Sequence, residues 1–75
     1  MKSSEDFEYV KKIGQRIAEI RKEKGFSQRE LCLEIGWDKP NLSSLEAGNR
    51  APSILTIRRI CNGLGVTMSD FFDFD

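Results

Sequence analysis

Apolar positions recur at spacings of three and four along most of the chain. Val10, Ile13, Ile17 and Ile20 make one stripe, the period of a helix with a single inward face. That helix begins near Ser4, where Glu5 and Asp6 suit the positive end of the helix dipole. Lys22 and Lys24 suit its last turn, and Gly25 its C-terminal cap. Ser27 followed by Glu30 forms a capping box that opens a second helix, with Leu31, Cys32 and Ile35 inward and Gly36 as its stop. Asp38 is the N-cap of a third helix with Lys39 and Pro40 in its first turn, Leu42 and Leu45 inward and Gly48 closing it. After the loop Asn49-Arg50-Ala51-Pro52, Ser53 caps a fourth helix whose stripe is Ile54, Ile57, Ile60, Cys61 and Leu64. Gly65 stops it, with Val66 as the apolar contact beyond the cap. Thr67 with Asp70 is a second, shorter capping box, leading into an apolar turn at Phe71 and Phe72. The pattern predicts five short helices and no strand longer than three residues. It excludes parallel-sheet enzyme folds.

Composition narrows the function. A chain of 75 residues accommodates one small domain, here expected over 1–75 with its core in 10–72 and frayed ends at 1–4 and 73–75. Apolar residues make up 39% and charged residues 32%, the balance of a soluble protein. The apolar runs are too short for a membrane span, and the polar, acidic first ten residues do not read as a signal peptide. A cytoplasmic protein is expected. Histidine is absent, which removes the commonest general base and metal ligand together. The two cysteines, Cys32 and Cys61, form neither a disulfide framework nor a zinc set and read as small core residues. Neither a nucleophile–base pair nor a paired-carboxylate cleft can be assembled, so no enzyme activity, metal, cofactor or small-molecule ligand is expected. Formal net charge is zero, but it is unevenly placed: −2 over residues 1–8, +5 over 9–66 (eleven basic, six acidic) and −3 over 67–75. A basic centre between acidic ends is compatible with a nucleic-acid partner.

The informative feature is the pair of helices around Gly36. The segment SQRELCLEIGWDKPNLSSLEAG, Ser27 to Gly48, has helix-turn-helix spacing. With "IAEIRKEKGFSQRELCLEIG", "LSSLEAGNRAPSILTI" and "LGVTMSDFF" in order, the stretch Ile13–Phe72 resembles the phage repressor and Cro type of helix-turn-helix domain, the XRE family of bacteria and phages. The resemblance implies an all-α, compact five-helix, lambda-repressor-like DNA-binding domain whose helices 2 and 3 form the helix-turn-helix. The second helix of such a pair crosses the backbone, and the third enters the major groove, where base edges distinguish all four pairs.

Residue by residue, the resemblance places Lys39, Pro40 and Ser44 at positions that commonly meet base edges, and the outer face of the third helix adds Asn41 and Ser43. Lys39 can donate to guanine or to a phosphate, and Asn41 can bridge adenine, hold a phosphate or stand in solvent. Ser43 and Ser44 are short, and Pro40, which carries no donor, offers either contact with a thymine methyl or simple first-turn rigidity. Gln28 matches a glutamine that grips the DNA backbone, Asn49 and Arg50 match a loop along a phosphate strand, and Arg29 is a further phosphate candidate. Lys11, Lys12 and Arg16 add diffuse attraction. Arg21 and Glu46 match a partly buried ion pair that orients the reading helix. Trp37 stands where relatives carry a smaller apolar residue and reads as turn packing.

One such module contacts little DNA, so the resemblance implies a homodimer on a palindromic operator, acting as a small repressor or autoregulator. Leu55, Phe71, Phe72 and Phe74 are the dimer candidates, as apolar residues in excess of one small core. The competing reading is a protein–protein interaction module on the same fold, favoured by zero net charge, Pro40 and the short serines.

Overall fold

The computed structural model describes residues 4–74. Its elements are α1 (Ser4–Glu23), α2 (Gln28–Ile35), α3 (Lys39–Glu46), α4 (Ile54–Leu64) and α5 (Met68–Phe71), with no strand among the described residues. Parts of the ends expected to fray, residues 1–3 and 75, lie outside the described residues. Ser4, also expected to fray, is already helical, and Phe74 packs against the core.

The caps form where the side chains predict them. Ser27 Oγ accepts from the Glu30 backbone N–H at 3.0 Å, and the Glu30 carboxylate accepts from the Ser27 backbone N–H at 2.8 Å. The Ser27 backbone N–H, and after it the Ser27 side chain, favour the ionised carboxylate and hold Glu30 below its ordinary pKa. Asp38, Ser53 and Thr67 each accept from the backbone N–H three residues on. Gly36 ends α2 at φ 70° and ψ 39°, the left-handed region that other residues enter only at a cost. The Trp37 N–H then reaches back to the Cys32 carbonyl at 2.9 Å. This tight stop leaves only three residues between the end of α2 and the start of α3.

The core is built by Ile13, Ile17 and Ile20 of α1, Leu31 and Cys32 of α2, Leu42 and Leu45 of α3, and Ile57, Ile60, Cys61 and Leu64 of α4, closed by Phe71. Helix α1 crosses α3 with backbone almost touching backbone at Gly14. A Cβ there would stand 2.8 Å from the Glu46 carbonyl oxygen and nearer still to that of Leu45.

Three expectations need correction. Ile54, assigned to the inward stripe of α4, is 61% exposed. It occupies the first turn, and side chains lean toward the N-terminus of their helix, so it projects past the end of α4 over solvent. Phe71, a dimer candidate, is fully buried within one chain and cannot face a partner. Phe72 and Phe74 are half-buried beside it, with the Phe72 ring edge-on to Phe71 at 5.0 Å and within 6.3 Å of Phe74. The small core thus takes up most of the aromatic surplus, and Leu55, 70% exposed, is left as the dimer candidate. Arg16, a candidate for diffuse attraction of DNA, is instead structural. Its guanidinium donates to the Phe71 and Asp70 carbonyls at 2.8 and 2.7 Å and pairs with Glu19 at 2.6 Å. The Phe71 carbonyl ends α5, past the last intrahelical donor, and the Asp70 carbonyl also accepts a longer turn bond from the Asp73 N–H at 3.3 Å.

Cys32 and Cys61 are buried free thiols. Burial pushes both thiols up from their ordinary value, with Asp38 and Glu46 adding to the effect at Cys32. A thiol whose folded pKa is raised favours the folded chain below the ordinary value of 9.0, and that contribution is lost as pH rises through the folded value. Neither thiol should react with an aromatic disulfide reagent at neutral pH while the chain is folded, and both should react in denaturant. Rapid labelling of the folded chain would contradict this burial.

Candidate nucleic-acid interface

Leu42 and Leu45 anchor α3 in the core, so its opposite side is presented outward. Lys39 and Pro40 are exposed there, and Asn41 and Ser44 are half-exposed. Asn49 and Arg50, in the loop after α3, are exposed, as is Arg29 in the first turn of α2.

The orientation of α3 is fixed by a chain of polar side chains. Arg21 near the end of α1 grips Glu46 through two bonds, Nε to Oε2 at 2.7 Å and Nη2 to Oε1 at 3.0 Å. Its remaining nitrogen donates to the Phe26 carbonyl at 2.8 Å. The paired side chains are only 9% and 8% exposed, and two parallel bonds between planar groups define an orientation as well as a distance. Gln28 continues the chain. Its amide nitrogen donates to Glu46 Oε1 at 2.9 Å, and its amide oxygen accepts from the Ser43 hydroxyl at 2.9 Å. Three helices are therefore locked together at the point where α2 and α3 meet the outer face, and among the described residues no buried polar side-chain atom lacks a partner.

This network changes two sequence expectations. Ser43, expected on the reading face, turns its hydroxyl onto α2. Gln28, expected as a free phosphate grip, is half-buried and bridges α2 to α3, with one amide hydrogen bonded to Glu46 and the other unused by that bond. Sequence reasoning identified the Arg21–Glu46 pair but missed that Gln28 and Ser43 extend it. Spacing in sequence carries no signal for a bond that joins separate helices.

Beside this network lies a second cluster. The Arg50 Nη2 donates to the Asn41 amide oxygen at 3.1 Å, and its guanidinium carbon stands 5.8 Å from the centre of the Trp37 ring. Trp37 is half-buried and packs against the core, as expected for turn packing. Among the described residues no cluster of three or more His, Cys, Asp and Glu side chains could hold a metal ion, and no helix is long and apolar enough to cross a membrane.

A profile of the helix-turn-helix family matches residues 17–71. The chain is 39% identical over 57 residues to the uncharacterised HTH-type transcriptional regulator y4dJ of Sinorhizobium fredii, covering 76% of this chain and 74% of that protein. It is 36% identical over 62 residues to the control protein C.MunI of a Mycoplasma species, covering 81% and 84%. It is also similar to the restriction-modification controller protein C.Esp1396I, solved as a tetramer in complex with its natural 35 base-pair operator. The TM-score there is 0.80 at 31% identity, over 85% of this chain and 84% of that one. The cap-and-glycine architecture, the inward leucines of α3 and these likenesses agree, and the chain belongs to the helix-turn-helix family of transcriptional regulators.

Proposed function

We propose that this chain binds double-stranded DNA sequence-specifically as a homodimer and regulates transcription by occupying a palindromic operator, as a small repressor or autoregulator. The observation that carries the reading is the outward side of α3, held at a fixed angle to α1 and α2 by Arg21, Glu46 and Gln28. A helix so held has the form of a major-groove reader, with Lys39, Pro40, Asn41 and Ser44 toward base edges. Arg29, Asn49 and Arg50 flank it as backbone contacts, and the unused amide hydrogen of Gln28 can reach a phosphate beside the N-terminus of α2. Leu55, exposed on α4 beside Ile54, supplies apolar surface for the second copy. The operator-bound tetramer of C.Esp1396I supports DNA as the partner and oligomers as the working form.

Selection of bound sequences from random duplexes tests this directly. The expected result is an inverted repeat with half-sites about 34 Å apart, one turn of DNA. Affinity should fall with salt, with a slope of log K against log[salt] of about −0.9 for each phosphate neutralised by a basic side chain. Salt-independent binding, or no enrichment of any sequence, would favour the protein-interaction reading instead.

A further inference from the structure

We propose that Trp37 is a positioning residue that carries a loop arginine onto the reading side of α3, so that Arg50 and Asn41 read a guanine as one unit. The inference rests on the DNA-binding reading above and reassigns Arg50 from backbone contact to base contact.

The outer face of α3 is short of donors. Lys39 is its single long basic side chain, Pro40 has no donor, and the Ser43 hydroxyl is held by Gln28. Ser44 reaches only a short way. Arg50 belongs to the loop after α3, yet its guanidinium is drawn back over that helix, bonded to Asn41 at 3.1 Å and set 5.8 Å from the Trp37 ring. The ring is itself held. Trp37 sits in the turn before α3, half-buried, and lines one hollow with Leu45, Pro52 and Thr56. Loop, turn and reading helix are thus joined through one indole.

Phosphates recur along the strand at regular intervals, so a flexible arginine finds one from many positions. Base reading is different, because guanine O6 and N7 lie at one place and demand two parallel donors. An aromatic face and an amide oxygen that restrain the guanidinium before DNA arrives serve the second task. Only one of the five guanidinium N–H groups is used by Asn41, which leaves a pair of donors for the guanine edge. Because the Asn41 oxygen is taken by Arg50, its amide hydrogens remain to face an acceptor on the adjacent base.

The test measures affinities of the full chain for the duplex selected above and for a set carrying single base-pair replacements across one half-site. Wild type should show a G·C pair whose replacement weakens binding roughly 10- to 100-fold, the discrimination of one good bidentate contact. In Arg50→Lys and in Trp37→Leu, that penalty should shrink to a few-fold, while penalties at the other pairs persist. Arg50→Lys keeps the charge, so its salt slope should stay that of wild type. Trp37→Phe, which retains an aromatic face, should restore the discrimination. Arg50 is exposed, so its lysine variant does not depend on the folding of the tryptophan variant. Two results would overturn the proposal: unchanged discrimination in Arg50→Lys or in folded Trp37→Leu, or a uniform loss of affinity over all duplexes. If wild type selects no sequence at all, the DNA-binding reading itself falls and this inference with it.

Discussion

Alanine at Gly14 should destabilise the domain by about 2 kcal/mol, although alanine is the better helix former. In an open helix the exchange would stabilise by about 1 kcal/mol. Here the added methyl would meet the carbonyl oxygens of Leu45 and Glu46, backbone atoms that cannot rotate aside. Forcing extra volume into packed structure costs about 1–3 kcal/mol, and it also separates α1 from α3, where Arg21 must reach Glu46 within hydrogen-bond distance. Two losses oppose one gain. Denaturant unfolding should show the drop, with a fall in melting temperature of roughly 10 °C for a domain of this size. Affinity for operator DNA should fall as well, because the reading helix is displaced. A Gly14→Ala variant as stable as wild type would show that the close approach of α1 and α3 yields easily.

Glu46→Ala should be more damaging still. It leaves the Arg21 guanidinium, whose side chain is 9% exposed, without its counter-charge, and it frees the Gln28 amide from its acceptor. Removing one partner of a buried pair costs about 3–5 kcal/mol. At about 0.05–0.15 kcal/mol per residue, a chain of 75 residues has about 4–11 kcal/mol in all, so the substitution should remove a large share of its stability. Replacing both partners together, Arg21→Met with Glu46→Leu, should recover most of the stability, since an apolar pair avoids the desolvation of two charges. It should not recover DNA binding. That split, stability restored without affinity, separates a role in orienting α3 from a role in holding the fold. Wild-type affinity in the double variant would refute the orienting role.

Local chemistry accounts for what the sequence made legible. Ser27 with Glu30, Asp38, Ser53 and Thr67 act on backbone groups three residues away, and Gly36 acts on the residue it occupies, so the helix limits could be read from neighbours alone. The resemblance supplied the Arg21–Glu46 pair. What escaped depended on distant parts of the chain. Ile54 has the periodicity of a core residue, but nothing lies above the first turn of α4 to cover it. In a helix as short as α5, periodicity cannot tell Phe71 from Phe72, and only the packed fold decides that Phe71 goes inside. Arg16 looked like any solvated base on a helix until its carbonyl partners arrived from 55 residues away. Gly14 was a missed position with a local sign, since a glycine inside a strongly patterned helix needs a packing reason. For the interface, residue types pointed to the right surface, but the bonds from Ser43 to Gln28 and from Arg50 to Asn41 join separate segments.

The grip of Arg16 on the last turn of α5 also bears on how this chain assembles. Four residues of helix do not hold together in water unaided, because nucleating a turn costs more than so few bonds return. The segment is held by the Thr67 cap, by the burial of Phe71 and by a guanidinium of α1 that donates to its terminal carbonyls, and the last of these ties together residues 55 apart, whose loop must be closed first. The final helix is therefore expected to join after α1 to α4 have gathered and to detach first on unfolding, which faster hydrogen exchange over residues 68–71 than in α3 would show.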